Sequence, residues 1–352
     1  MQVNLYTVDA FTGDLFKGNP AAVVLDKAES TQSDDKPLQK IAAEINLSVA
    51  AFPCRTMSYN LYTVDAFADE IFKGNPAAVF LTDSQSSHSD PTLQTIAAEM
   101  NLSETAFPLP KDGTFATAKH FGLRWMTPTI EVPLCGHATL ATSHVLFNEI
   151  GNPNSTLTFH TLSGELHCSK AEGGAIQMDF PQFQTKPVTE DMELPFEAVQ
   201  KMRQTLESYG CVVEDAAYTQ VGKFCLFRVA TMPTDKFTTL PVKPSELQQC
   251  CNGAKASLIG VIVTQKSANS NYDFESRFFA PWSGIPEDPA TGSAHCALAN
   301  YWGGQLDGQT EFKAYQCYPG RGASLGLKLD NEKGRVRLTG QAVTVIRGSM
   351  RM

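Results

Sequence analysis

Gly284-Ile285-Pro286-Glu287-Asp288-Pro289-Ala290-Thr291-Gly292-Ser293-Ala294-His295 is an acidic, proline-rich turn that runs straight into a helix of small residues. Pro133-Leu134-Cys135-Gly136-His137-Ala138-Thr139 makes the same transition earlier in the chain. Neither helix carries charge: no Lys, Arg, Asp or Glu occurs from Gly136 to Phe147 or from Gly292 to Trp302. A helix that is apolar on every face is a buried one. Upstream, Arg124-Trp125-Met126-Thr127-Pro128 matches Arg277-Phe278-Phe279-Ala280-Pro281, and the helices share Gly-x-Ala-x-x-Ala. The arginine precedes the helix glycine by 12 residues in the first case and 15 in the second. The pattern predicts an α+β fold of two pseudo-equivalent lobes, each a mostly antiparallel sheet wrapped round a central helix.

Helix starts carry chemistry as well as packing. An N-terminus presents unpaired N–H groups and about half a positive charge. Two of them converging on one cleft would bind a small anion such as a carboxylate. Gly136 and Gly292 would let it approach the backbone, and Ser293 would add a hydroxyl. Asp288 stands just outside the second start and His137 just inside the first. The simpler alternative is that Asp288 and Ser293 cap the turn and helix. Cys135 precedes a helix start, where a thiolate would be activated. The matching position before Gly292 is Thr291, which disfavours a mechanism with two thiols and leaves Cys135 open as a buried small side chain. Asn75, in a Gly-Asn-Pro turn, points its amide into the site or only forms the turn. Arg321, in Gly320-Arg321-Gly322, is an exposed turn residue or a substrate clamp.

The first ~55 residues are duplicated in tandem, an internal repeat without a third copy. Asn4-Leu5-Tyr6-Thr7-Val8-Asp9-Ala10-Phe11 recurs from Asn60 to Phe67, and Phe16-Lys17-Gly18-Asn19-Pro20-Ala21-Ala22-Val23 recurs from Phe72 to Val79. Each copy reads as strand, turn, strand, loop, helix, strand. The copies part at one polar position: Ser48-Val49-Ala50-Ala51-Phe52 against Ser103-Glu104-Thr105-Ala106-Phe107. A carboxylate in a partly buried cleft can have a raised pKa and shuttle protons, and only the second copy supplies one. Residues 1–58 are therefore expected to be an appendage, 59–175 with 340–352 the first lobe, and 176–339 the second.

Composition bounds the partners. The net charge of −9 and the lack of any Lys/Arg cluster argue against nucleic acid and anionic membranes. No apolar run approaches the roughly 20 residues of a membrane helix. Met1-Gln2-Val3-Asn4 lacks the basic start of a signal peptide. Nine cysteines without a Cys-x-x-Cys speak against a disulfide framework or structural zinc. A reduced, cytoplasmic compartment is expected, with no metal and no cofactor.

Tyr62-Thr63-Val64-Asp65-Ala66-Phe67, Gly74-Asn75-Pro76-Ala77-Ala78-Val79, Glu99-Met100-Asn101-Leu102-Ser103-Glu104-Thr105-Ala106-Phe107, Leu134-Cys135-Gly136-His137-Ala138-Thr139 and Asp288-Pro289-Ala290-Thr291-Gly292-Ser293-Ala294 resemble, in order, the signature blocks of the phenazine-biosynthesis isomerase (PhzF-like) family. The resemblance covers about 59–352, and the first copy departs from it. It implies the diaminopimelate-epimerase-like fold, a site between the lobes, cofactor-free proton transfer and a homodimer. It implies further that Glu104, with His137 and Asp288, is catalytic, and that Ser293 belongs to the site. The related epimerases use paired cysteines, from which Cys135/Thr291 departs. The expected function is an isomerase of a small carboxylate-bearing molecule, with Gly136, Gly292, Ser293 and Asn75 binding it. A silent scaffold on the same fold and a one-thiol epimerase using Cys135 are the alternatives.

Overall fold

The computed structural model describes residues 3–10, 19–26, 50–51, 58–82, 89–251 and 257–351. The first copy's turn, loop and helix, and most of the polar loop after Thr82, lie outside these. The chain divides into one unit of Met1–Ser58 with Met350–Met352 and another of Tyr59–Ser349. Among the described residues no helix is long and apolar enough to cross a membrane.

The smaller unit holds β1 (Val3–Ala10), β2 (Asn19–Asp26) and β3 (Ala50–Ala51). β1 and β2 pair antiparallel from Asn4↔Leu25 to Ala10↔Asn19, and β2 pairs parallel with β3 at Ala22↔Ala50. The second copy repeats this register. β4 (Ser58–Ala66) and β5 (Asn75–Leu81) run from Asn60↔Leu81 to Ala66↔Asn75, and β5 meets β6 (Thr105–Pro110) at Ala78↔Thr105. The duplication is thus one of backbone pairing as well as of letters.

By its pairing order the first lobe continues through α1 (Asp90–Met100), β7 (His120–Met126), β8 (Glu131–Val132), α2 (Gly136–His144), β9 (Thr156–Thr161), β10 (Gly164–Lys170) and β11 (Ile176–Pro181), which carries it six residues past the expected end at 175 because β11 pairs with β10. The second comprises β12 (Lys186–Pro187), α3 (Phe196–Ser208), β13 (Val213–Thr219), β14 (Phe224–Val229), α4 (Thr234–Thr239), α5 (Pro244–Cys250), β15 (Gly260–Lys266), β16 (Phe274–Ala280), β17 (Ile285–Asp288), α6 (Gly292–Gln305), β18 (Glu311–Gln316), β19 (Ala323–Asp330) and β20 (Arg335–Gly340), before β21 (Ala342–Arg351).

The two lobes share one pairing scheme. β4-β5-β6-β7-β9-β10-β11 are joined antiparallel, parallel, antiparallel, parallel, antiparallel, antiparallel. β13-β14-β15-β16-β18-β19-β20 follow the same order of senses. The short strands β8 and β17 fold back antiparallel on β7 and β16. The arginine repeat has a structural reason. Arg124 grips Glu131 at 2.8 and 2.6 Å, and Arg277 grips Glu287 at 2.7 and 2.9 Å, each pinning a short strand to its neighbour. The three extra residues of the second spacing fall where the 3₁₀ turn Pro281–Ser283 stands. The last strands of the two schemes, β11 and β20, pair with each other from Ile176↔Gly340 to Pro181↔Arg335. The expectation of two pseudo-equivalent lobes is met.

Both central helices are sunk in one hydrophobic cluster, with Ala138, Leu140 and Ala141 of α2 and Ala294, Cys296, Ala297 and Leu298 of α6 among its buried members. A second cluster fills the space between α3, α5 and the outer face of β13–β15. Local readings fail where a turn is cryptic. The stretch Phe159–Cys168 is the hairpin β9–β10, turning at Leu162-Ser163 into Gly164 with φ 92°. Within Ile130–Leu134 only the two residues of β8 are strand. β17 is a strand where only a turn is expected, and β18 carries a period-two pattern that its Glu and Lys disguise.

Candidate active site

Four element ends bring the polar residues together. Asn75 opens β5, Glu104 immediately precedes β6, His137 is the second residue of α2, and Asp288 closes β17 ahead of α6. The turn before Asn75 needs glycine: at Gly74 φ is +59°, and a Cβ would stand 2.1 Å from the Ala66 carbonyl oxygen. Arg321 locks this turn. It pairs with Asp65 at 2.5 Å and donates to the carbonyls of Gly74 and Lys73 at 2.8 and 2.9 Å. Its guanidinium thus holds the Lys73-Gly74 turn from a half-buried position that is itself in a turn.

The two helix starts touch. A Cβ on Gly136 would lie 3.2 Å from Gly292 Cα, and one on Gly292 would lie 3.3 Å from Gly136 Cα. Only paired glycines allow this approach of two backbones. Neither start is capped by a side chain. Asp288 accepts from the Thr291 hydroxyl and so holds the turn that leads into α6.

Asn75 is the hub of the buried network. Its amide nitrogen donates to Asp288 Oδ1 at 2.7 Å and to the Ala290 carbonyl at 3.0 Å, and stands 3.2 Å from His137 Nδ1. The other ring nitrogen, Nε2, lies 3.2 Å from both Glu104 Oε2 and Ser103 Oγ. Cys135 Sγ is 3.5 Å from Nδ1. The Thr291 hydroxyl donates to Asp288 Oδ2. Gln316, fully buried on β18, accepts from the Thr291 N–H at 2.8 Å and donates to the Asp288 carbonyl at 2.6 Å, fixing the turn from β17 to α6.

Glu104, His137, Asp288 and Asn75 are all buried, so Glu104 is no solvated turn residue. Glu104 Oε2 faces His137 Nε2 at 3.2 Å without an aligned hydrogen bond among the described residues. The electrostatics correct one expectation. Burial pushes the Glu104 carboxyl up, but the charge and hydrogen bond of His137, with Ser103 and Cys135, outweigh it, and its pKa lies below the ordinary value. His137 moves upward: burial opposes the imidazolium, and Cys135 and Glu104 overcome it. Asp288 is the raised carboxyl, lifted to about 6 by burial and the nearby Glu104 charge against the pull of His137. Burial and the charge of Glu104 push the Cys135 thiol up, so it is not an activated thiolate.

Of the residues singled out in the sequence, Glu104, His137, Asp288, Asn75, Gly136 and Gly292 converge. Ser293 follows Gly292 on α6, partly exposed and outside this network. Thr291 and Gln316 carry no such signal in the sequence: Thr291 differs from its counterpart Cys135 without a motif of its own, and Gln316 lies in a strand without one.

Comparison with known proteins places this arrangement. The model of the phenazine biosynthesis-like protein family (PhzC-PhzF) matches residues 8–61 and 64–348. The human phenazine biosynthesis-like domain-containing protein is 42% identical over 301 residues, covering 84% of this chain and 99% of that one. A protein of Halalkalibacterium halodurans described as an uncharacterized isomerase is 40% identical over 296 residues, with 84% and 99% covered. A crystal structure of a PhzF-family protein from Enterococcus faecalis aligns with a TM-score of 0.69 at 36% identity, over 84% of this chain and 100% of that one. The match at 8–61 corrects the expectation that the first copy departs from the family: it is itself a family segment, Val49 notwithstanding. The two-lobed architecture is the diaminopimelate-epimerase-like fold, and the chain belongs to the phenazine biosynthesis-like PhzC-PhzF family of isomerases.

Proposed function

We propose that the protein moves a proton between two positions of a small carboxylate-bearing substrate by general acid–base catalysis, without a cofactor. The observation that carries this reading is the buried Glu104 carboxylate, ion-paired through Oε2 with His137, beside the touching starts of two helices. His137 holds Glu104 ionised and ready to take a proton from a substrate carbon. Glu104 then returns that proton to a second carbon, so that the enzyme ends as it began. The free N–H groups at Gly136 and Gly292, with the Ser293 hydroxyl, hold the substrate's anionic group. Asp288 and Asn75 set the far side of the imidazole. The isomerase description of the Halalkalibacterium halodurans relative supports the reaction class.

One positioned acid–base group contributes roughly 10²–10⁴-fold to rate. Glu104→Gln is therefore expected to lose turnover by about that factor with little loss of binding. Where no substrate is yet in hand, exchange of solvent deuterium into a panel of cyclic and hydroxy acids serves as the assay. A Glu104→Gln protein that exchanges as fast as the wild type would sink the assignment.

A further inference from the structure

We infer that Cys135 is a positioning residue: its sulfur accepts the hydrogen on His137 Nδ1 and so holds the ring with its Nε2–H toward Glu104. The inference rests on the acid–base reading above and adds a residue to it.

The argument is a count of hydrogens. Three groups crowd the Asn75 amide nitrogen: Asp288 Oδ1 at 2.7 Å, the Ala290 carbonyl at 3.0 Å and His137 Nδ1 at 3.2 Å. A primary amide has two N–H groups. The two oxygens are nearer, and the Ala290 carbonyl can only accept. Asn75 is thereby spent, and its contact with His137 is one of proximity. Turning the amide round would set its oxygen against the Ala290 carbonyl, so the assignment is fixed by the neighbours. Nδ1 is left with the Cys135 sulfur at 3.5 Å, within the longer reach of a sulfur acceptor. On the other side of the ring, Nε2 faces Glu104 and Ser103. The titratable groups around the imidazole are then Glu104, Cys135 and, across Asn75, Asp288. The ring is buried, and a buried N–H without an acceptor costs roughly 1–3 kcal/mol. The sulfur removes that cost.

The second lobe repeats the device with other atoms. Thr291 occupies, before Gly292, the place Cys135 occupies before Gly136. Its hydroxyl serves Asp288 as the thiol serves His137. In each lobe the residue before the helix glycine supports a titratable group of the site. This explains why the pair need not be two cysteines: an imidazolium needs an acceptor, and a carboxylate needs a donor.

The test is nitrogen-15 NMR of the imidazoles in the full-length protein, with His137 identified by the signals lost in His137→Asn. In the wild type His137 is expected to be doubly protonated at neutral pH. A neutral ring there overturns the inference without any variant. Cys135→Ala is expected to lower the His137 titration midpoint, a roughly tenfold loss in its protonation equilibrium, the size of one hydrogen bond to a charged group. Cys135→Ser, whose oxygen can also accept, is expected to restore it. A Cys135→Ala protein with an unchanged melting temperature and an unchanged midpoint also overturns the inference. None of these readouts needs a substrate. An active Glu104→Gln enzyme would overturn the proton-transfer reading while leaving them intact, and an unmoved midpoint would do the reverse.

Discussion

Asp288 is a carboxyl group whose charge the fold disfavours. It is buried, and its pKa is raised from 3.8 to about 6. The native state therefore binds more protons than the unfolded one between about pH 4 and pH 6. Its contribution to stability is fully present below the unfolded value and is lost as pH rises through 6. At pH 7 the ionised side chain costs on the order of 3 kcal/mol. Asp288→Asn keeps an acceptor for Asn75 and offers its amide to the Thr291 hydroxyl, which can accept as well as donate. Urea unfolding should find Asp288→Asn more stable than the wild type by about 1–3 kcal/mol at pH 7, with the difference gone below about pH 4. Equal stabilities at pH 7 would contradict the raised value. At this scale much was legible in the sequence. Glu104 stood out because Val49 replaces it in the other copy, and Asp288 and His137 because they flank helix starts. The direction of Glu104's shift was not legible, because it depends on an imidazole 33 residues away whose closeness only the fold creates.

Where α2 and α6 meet, the design turns on two glycines. A Cβ at Gly136 meets backbone, at 3.2 Å from Gly292 Cα, and backbone does not yield as a side-chain tip would. Gly136→Ala should cost roughly 1–3 kcal/mol by overpacking and prise the helix starts apart. Gly304, near the end of α6, has nothing within 4 Å of an added Cβ. Gly304→Ala should gain about 0.5–1 kcal/mol by helix propensity alone. Chemical denaturation of the two variants separates the readings: if both stabilise, the close approach is not the reason for the glycine. The sequence made each helix legible through its uncharged run of small residues. It did not make their contact legible. That contact depends on β11 pairing with β20, an interaction between positions about 160 residues apart. The short strands β8 and β17 escaped for a related reason. What defines them is an Arg–Glu pair across strands, not a local hydrophobic period.

On the scale of the chain, the duplication poses a competition that the site can report. Both copies pair their strands in one register, and both match the family. Our reading is that the second copy alone completes the catalytic lobe and that residues 1–58 are an appendage to it. A protein beginning at Ser58 should then fold and keep the exchange activity of the full chain. That result alone would be blind to occasional replacement of β4–β6 by β1–β3, because a replaced lobe is silent: it carries Val49 where Glu104 belongs. The double variant Val49→Glu with Glu104→Gln makes such a lobe visible. If the second copy holds its place, the only glutamate lies in the appendage, and the protein stays as slow as Glu104→Gln alone, about 10²–10⁴-fold below the wild type. If activity returns, the first copy can take the sheet positions of the second, in its own chain or another. Dilution distinguishes those two routes, since exchange within one chain does not depend on concentration and exchange between chains does.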